Sequence, residues 1–188
     1  MEIRYTTDPE SFQRMNSGEL RKMFLADRLF QDGLMNLLYT DVDRGILGGI
    51  VPTAQPLELK GSQEMASEFF CERREAGIIN TGAPGAIAVD GKTFEIESQD
   101  CLYIGRGAQS IAFTSKSAKD PARYYLLSYP AHASYPTTHA RKSDAQPVRL
   151  GSSEASNVRT IYKYIHPAGI QSSQLVMGMT FLETGSVW

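Results

Sequence analysis

From Leu29 onwards, short runs of apolar residues alternate with glycine, proline and aspartate. Short runs separated by turn residues are typical of β-strands, and their regular succession predicts an all-β sandwich or barrel. The clearest hairpin turns at Asp90-Gly91, two residues that accept the positive φ angles of a type I′ turn. The predicted strands are Met35–Tyr39, Ile46–Val51, Glu68–Arg73, Gly77–Asn80, Ala86–Val89, Thr93–Ile96, Cys101–Ile104, Ser110–Thr114 and Tyr124–Tyr129.

Helical signals occur in the first 29 residues. Asp8 can cap a helix whose first position is Pro9, and Ser17 precedes Leu20 and Met23 at helical spacing. We therefore expect two short helices before the first strand.

The stretch from Pro130 to Asn157 differs from the rest, because it holds three prolines, many serines and few aliphatic residues. Such a composition is typical of a segment that crosses between two units. Strand character returns at Val158–Ile165 and Gln174–Leu182, which is too little sequence to close a second barrel.

Composition excludes several classes of function. A net charge of -2 and a pI near 5.9, with scattered basic residues, argue against a nucleic-acid surface. No apolar run reaches the ~20 residues that span a bilayer, and the first five residues do not have the order of a signal peptide, so we expect a cytoplasmic protein without a membrane partner. Cys71 and Cys101 are expected to be reduced cysteines in strands.

The most informative segment is the densely charged stretch Phe70–Gly85, which lies between two apolar runs. It resembles the signature of the bacterial 4-deoxy-L-threo-5-hexosulose-uronate ketol-isomerases, also called 5-dehydro-4-deoxy-D-glucuronate isomerases. The resemblance covers nearly the whole chain and includes Asp43-Arg44 with Gly48-Gly49, Pro130-Ala131-His132 with Tyr135-Pro136, Ser156–Tyr164 and Gln174–Thr180.

The resemblance implies a fold of two cupin barrels, which are small antiparallel jelly rolls. On this basis residues 1–29 form an N-terminal helical segment, 30–129 a first, metal-free barrel, 130–157 a crossing segment, and 158–188 the start of a second, incomplete cupin. In that family a His-x-His pair, a Glu and a distant His follow the segment Gly185–Trp188. The resemblance therefore implies a zinc ion whose ligands lie beyond Trp188, and the 188-residue chain alone is expected to be inactive.

The histidines of the chain agree with a metal-free unit. His132, His139 and His166 are the three histidines, and no two of them are one residue apart. A cupin metal site needs such a pair on one strand face together with a carboxylate and a third histidine. We expect loop histidines and no metal site within this chain.

The implied reaction converts 5-dehydro-4-deoxy-D-glucuronate to 3-deoxy-D-glycero-2,5-hexodiulosonate in pectin and uronate degradation. It moves a proton between adjacent carbons, which requires a base beside the C–H and an electrophile at the enediolate oxygen. The partners implied are an acidic sugar and further copies of the chain, with a hexamer as one expected assembly. The alternatives are a non-catalytic cupin scaffold or sugar-binding module and another sugar-processing cupin, such as a nucleotide-sugar epimerase.

The candidate substrate-binding residues are Arg159, Lys163 and Gln174, whereas the sequence identifies no catalytic residue. Arg159 and Lys163 alternate on one face of a predicted strand, where two cations would suit an acidic sugar if that face lines the second barrel. A charged exterior face is the competing interpretation, and Gln174 carries the same ambiguity.

The cluster Glu72-Arg73-Arg74-Glu75 also has two interpretations. Arg73 or Arg74 could bind a substrate carboxylate through a guanidinium fork. In a strand, however, Glu72 and Arg74 share one face while Arg73 and Glu75 share the other, so each pair can neutralise itself or bridge to another subunit. The structural interpretation is the favoured one.

Overall fold

The structure is a computed structural model that describes residues 1–187. Two short helices, α1 (Pro9–Arg14) and α2 (Ser17–Phe24), precede most of the strands. The strands are β1 (Glu2–Arg4), β2 (Met35–Thr40), β3 (Ile46–Ile50), β4 (Leu57–Glu58), β5 (Arg74–Asn80), β6 (Gly85–Val89), β7 (Lys92–Ile96), β8 (Cys101–Ile104), β9 (Ile111–Ser115), β10 (Tyr124–Pro130), β11 (Thr138–Ala140), β12 (Pro147–Leu150), β13 (Arg159–Ile165) and β14 (Met177–Leu182).

The strands from β3 to β10 form a jelly roll. In a seven-stranded sheet the order is β1-β2-β3-β10-β5-β8-β11, and in a four-stranded sheet it is β4-β9-β6-β7. Consecutive strands from β3 to β10 therefore cross repeatedly between two sheets, within which they pair antiparallel, and this is the double Greek-key order of a jelly roll. The all-β prediction and the cupin architecture that the resemblance implied for the first unit are confirmed.

Alternation along each strand sends side chains to two separate cores. On β5, Ala76 and Ile78 point into the space between the two large sheets, where they join Ile87, Phe113 and other fully buried residues. We call this side of the seven-stranded sheet its inner face. Ile79 points to the opposite, outer face and joins a second core.

A three-stranded sheet, β12-β13-β14, covers the outer face. Tyr164 and Leu175 from this part of the chain pack with Cys101 and Tyr103 of β8, and all four are at most 2% exposed. The segment before β14 packs closely against β5, because a Cβ added at Gly77 would lie 2.6 Å from Leu175 Cδ2. Residues of β13 and of the segment before β14 are thus packed against the jelly roll.

Most predicted elements are confirmed. The Asp8 side chain caps α1, and Asp90 and Gly91 have the positive φ angles of 48° and 81° that the hairpin requires. The second helix has Asn16 rather than Ser17 at its N-cap, since Asn16 and Glu19 form a reciprocal capping box.

Two predictions about secondary structure are wrong. Glu68–Arg73 is not a strand, because the Glu72 carboxylate accepts the Glu68 N–H at 2.7 Å and the Glu72 N–H turns back to the Phe69 carbonyl. The segment 130–157 is not wholly irregular, since it contains β11 and β12. The domain boundaries themselves stay predictions.

Candidate functional site

Arg74 and Glu75 are adjacent on β5 and point to opposite faces of the seven-stranded sheet. Arg74 is 8% exposed and Glu75 is fully buried. Because successive residues of a strand face opposite ways, Arg74 enters the inner side and Glu75 the outer side. Two neighbouring charges are therefore buried in different surroundings.

Glu75 binds the segment that leads into β14. Its carboxylate accepts the N–H groups of Ser173, Gln174 and Leu175 at 2.8, 2.7 and 2.9 Å. The Tyr103 hydroxyl donates to the same carboxylate at 2.7 Å. Burial is the main cause, and the hydrogen bond to Glu75 the second, of a Tyr103 pKa well above its usual range. Four donors thus satisfy Glu75 and fix the three-stranded sheet to the barrel.

The hydrogen-bond partners of Arg74 in the described part of the chain are neutral groups. Its Nε donates to Ser128 Oγ at 2.8 Å, and its Nη2 donates to the carbonyls of Arg44 and Ser128 at 2.9 and 3.1 Å. The guanidinium also lies over the Phe70 ring, 5.6 Å from its centroid. Burial lowers the pKa of Arg74 to about 10, so the group is still protonated at neutral pH. Within residues 1–187, Nη1 makes no hydrogen bond and no carboxylate pairs with this cation.

A cavity of about 170 Å³ opens beside Arg74 at the end of the jelly roll, and we call it the Arg74 pocket. Three arginines line it against one carboxylate, that of the exposed Glu64. A cavity lined by excess positive charge attracts anions. The lining residues are Tyr39, Arg44, Glu64, Met65, Ser67, Phe70, Arg73, Arg74 and Pro130.

The predicted pairing of Glu72 with Arg74 is wrong. Glu72 lies in the turn before β5, not on the strand, and its ion-pair partner is Arg73 at 3.8 Å. The predicted pairing of Arg73 with Glu75 is wrong for a related reason, since Glu75 is turned to the outer face. β5 begins at Arg74, two residues after Glu72, where the sequence interpretation assumed strand alternation to begin.

The three candidate substrate residues do not line the Arg74 pocket. Arg159 and Lys163 share one face of β13, and Tyr162 on the other face packs towards the barrel, so both cations lie on the side of the three-stranded sheet that faces away from the barrel. Arg159 is half-buried and its Nη1 donates to the Asn157 carbonyl at 3.0 Å, whereas Lys163 is exposed.

Gln174 belongs to the contact between the jelly roll and the segment that leads into β14. Its side-chain Nε2 donates to the Pro130 carbonyl at 2.7 Å, and its N–H donates to Glu75. It also borders an open cavity of about 400 Å³ together with His166 and Ser173. The structure therefore brings Arg159 and Lys163 together on one face and separates Gln174 from them.

The histidines do not form the donor set of a metal site. His139 Nε2 lies 3.0 Å from the Asp100 carboxylate, and His132 Nδ1 lies 3.1 Å from Ser173 Oγ. Among residues 1–187, no three His, Cys, Asp or Glu side chains are placed to hold a metal ion together. The residues present therefore do not fit the zinc that the resemblance implied. Both cysteines are free and buried, and burial raises the pKa of Cys71 to about 12.

Sequence reasoning missed the turn that closes the Arg74 pocket. Asp43 and Arg44 are consecutive residues with φ angles of 51° and 52°, a conformation that non-glycine residues rarely adopt. This turn directs the Arg44 carbonyl to Arg74. The Asp43-Arg44 motif was the available signal, but its backbone conformation is not visible in the sequence.

Comparison with known proteins gives a family for this architecture. The model of the KduI/IolB family matches residues 25–188. The chain belongs to this family. Its match includes the Arg74 pocket, the Glu75 contact and all three strands of the smaller sheet.

Curated relatives match the whole chain. A 4-deoxy-L-threo-5-hexosulose-uronate ketol-isomerase of Halalkalibacterium halodurans is 46% identical over 188 residues, which are 100% of this chain and 68% of the relative. Proteins of the same name from Caldicellulosiruptor bescii and Lachnoclostridium phytofermentans are 44% and 46% identical, with the same coverage of both chains.

Solved structures show weaker likeness. An IolB-like protein from Salmonella typhimurium LT2 has a TM-score of 0.49 at 11% identity, over 63% of this chain and 43% of that one. A cupin protein from Bacteroides fragilis has a TM-score of 0.36 at 13% identity, over 50% and 72%. The jelly-roll assignment rests on strand order instead.

None of the helices that residues 1–187 form has the length and apolar content to span a bilayer.

Proposed function

We propose that this chain serves the ketol-isomerisation of 4-deoxy-L-threo-5-hexosulose uronate. The observation that carries the proposal is the 46% identity over all 188 residues to a curated isomerase of that name. From the same family resemblance we propose a homo-oligomeric, cytoplasmic enzyme that acts on an acidic sugar.

The reaction needs a base, an electrophile and a means of holding a charged substrate. The described residues support the third requirement, because three arginines line the Arg74 pocket. Arg159 and Lys163 on β13 are proposed as further cations that contact the substrate. Glu75 is not offered as the base, since its carboxylate is fully buried and already accepts four hydrogen bonds.

Zinc would supply Lewis acidity to such a reaction. The histidines of this chain do not fit it, and the ligands are therefore proposed to come from sequence that these 188 residues do not contain. The role proposed for the jelly roll is to dock the acidic sugar and to support the unit that begins with the three-stranded sheet.

An activity assay tests this division of roles. The 188-residue chain should not turn over the uronate, with or without added zinc. A fusion of this chain to the remaining third of the Halalkalibacterium halodurans relative should turn it over, lose activity with a chelator and regain it with zinc.

Two outcomes would contradict the proposal separately. A folded, zinc-loaded fusion that leaves the uronate unchanged would remove the assigned function. Turnover by the 188-residue chain at the rate of the fusion would show that the reacting groups lie within this chain.

A further inference from the structure

The Arg74 pocket contains a buried cation with unused hydrogen-bond donors. Arg74 is 8% exposed, and its Nε and Nη2 are occupied by Ser128 and by the Arg44 carbonyl. Nη1 is the nitrogen that makes no hydrogen bond within residues 1–187. Buried charges are normally paired with an opposite charge or coordinated, so this guanidinium has room for an anionic partner at Nη1.

A second polar group in the pocket is also without a partner. Ser67 Oγ is buried, and within the part of the chain that the structure describes it neither donates nor accepts a hydrogen bond. Ser67 lines the same cavity as Arg74. Buried hydroxyls are satisfied in most proteins, so one that borders a cavity indicates a group that enters the cavity.

The rim adds charge of the same sign. Among the described residues Arg73 forms one ion pair, with Glu72 at 3.8 Å, and its guanidinium also donates to the Ala66 carbonyl. The Arg44 side chain is exposed and forms no ion pair within residues 1–187. Glu64 is the carboxylate among the lining residues, and it too is exposed. The excess of cations selects an anion over a neutral ligand.

We propose that the Arg74 pocket binds the carboxylate of a small sugar acid. Arg74 Nη1 and a rim guanidinium hold the carboxylate oxygens, while Ser67 Oγ donates to the carboxylate or to a neighbouring hydroxyl. The cavity of about 170 Å³ accommodates a single small molecule and is below the size of most drug-like sites. The choice of a sugar acid rests on the proposed function, whereas the preference for a carboxylate rests on the pocket.

Binding to the 188-residue chain tests the site without any assay of turnover. D-galacturonate is the probe, and D-galactose is its matched neutral control, because the two sugars differ only in the C6 carboxylate. Isothermal titration calorimetry should show saturable binding of galacturonate and none of galactose. Arg74→Lys keeps the charge but loses the guanidinium fork, so the Kd should rise about tenfold.

Two further variants keep the test independent of folding. Arg44→Gln removes an exposed side chain and leaves its backbone carbonyl in place, so the variant should fold and the Kd should rise about threefold. Arg149→Gln makes the same change of charge on β12, outside the pocket, where Arg149 pairs with Glu183 at 2.8 Å, and the Kd should not change.

The proposal is wrong if galacturonate does not bind, or binds no better than galactose. It is equally wrong if Arg74→Lys and Arg44→Gln bind like the wild type, or if Arg149→Gln weakens binding as much as they do. These failures differ from failure of the isomerase proposal, since binding is measured on a chain that is not expected to turn over substrate.

Discussion

The two faces of the seven-stranded sheet each bury one charged side chain, and the two charges differ in how fully they are hydrogen-bonded. On the outer face Glu75 meets four donors, and its hydrogen bonds join the barrel to the segment before β14. On the inner face Arg74 meets carbonyl and hydroxyl oxygens and keeps Nη1 unused beside a cavity. A satisfied charge stabilises the fold, whereas one with spare donors at a cavity is available to a ligand. The comparison predicts that substitutions at the Glu75 contact on the outer face lower the free energy of unfolding, whereas substitutions in the Arg74 pocket mainly weaken ligand binding.

Glu75→Ala should have the largest effect. It leaves three N–H groups and the Tyr103 hydroxyl without their acceptor, and loss of one side of a buried charged contact costs about 3 to 5 kcal/mol of the free energy of unfolding. Urea unfolding measures this loss. The control is Glu183→Ala, because the exposed ion pair of Glu183 with Arg149 contributes about 0 to 1 kcal/mol.

The two cysteines distinguish where Glu75→Ala acts. Cys101 lies in the outer-face core and Cys71 in the inner core. Labelling with a thiol reagent should reach Cys101 before Cys71 in the variant, because the three-stranded sheet separates while the jelly roll stays folded. Equal labelling rates would show that the two cores unfold as one unit.

Tyr103→Phe should have an intermediate effect. It removes one of the four donors to Glu75 and leaves the three backbone donors in place. A hydrogen bond to a charged group contributes about 1.5 to 3 kcal/mol, so the urea midpoint should fall by less than in Glu75→Ala. In the double variant the two losses should not add, since both act through one carboxylate. Additive losses would place Tyr103 outside this contact.

Gly77→Ala should have the smallest of the three effects. The added Cβ would lie 2.6 to 2.9 Å from side-chain atoms of Leu175, Met177 and Ile165, which have to shift. Overpacking of this kind costs about 1 to 3 kcal/mol, and flexible side chains place the cost near the lower limit. Thermal unfolding checks this. Gly91→Ala provides a contrast, because a Cβ added there would meet no non-neighbouring atom within 4 Å, and the positive φ of Gly91 supplies the strain instead.

The sequence predicts the strands better than the contacts between distant segments. The hairpin at Asp90-Gly91 and the helix cap at Asp8 are local, so a few adjacent residues determine them. The start of β5 at Arg74 was misplaced, because the turn before it depends on the Glu72 side chain binding the Glu68 N–H. The partners of Glu75 lie about a hundred residues away and leave no local signal.

The candidate site was predicted in part for the same reason. Charge density at Arg73 and Arg74 indicates the region where the Arg74 pocket lies, and a carboxylate-binding arginine is one of the two interpretations of that cluster. The cavity itself depends on the Asp43-Arg44 turn, on Tyr39 from β2 and on Ser67, which only the folded barrel brings together. Arg159, Lys163 and Gln174 remain proposed substrate residues.

The Glu75 contact also sets an order of events during synthesis. Its backbone donors lie 98, 99 and 100 residues further along the chain, so β5 leaves the ribosome long before they do. At about 5 to 20 residues per second, this interval lasts roughly 5 to 20 seconds. During that time the nascent barrel exposes Ile79, an incompletely paired carboxylate and, once it has been synthesised, Tyr103. Chaperone binding to nascent chains should therefore peak within this interval and fall once Leu175 has emerged.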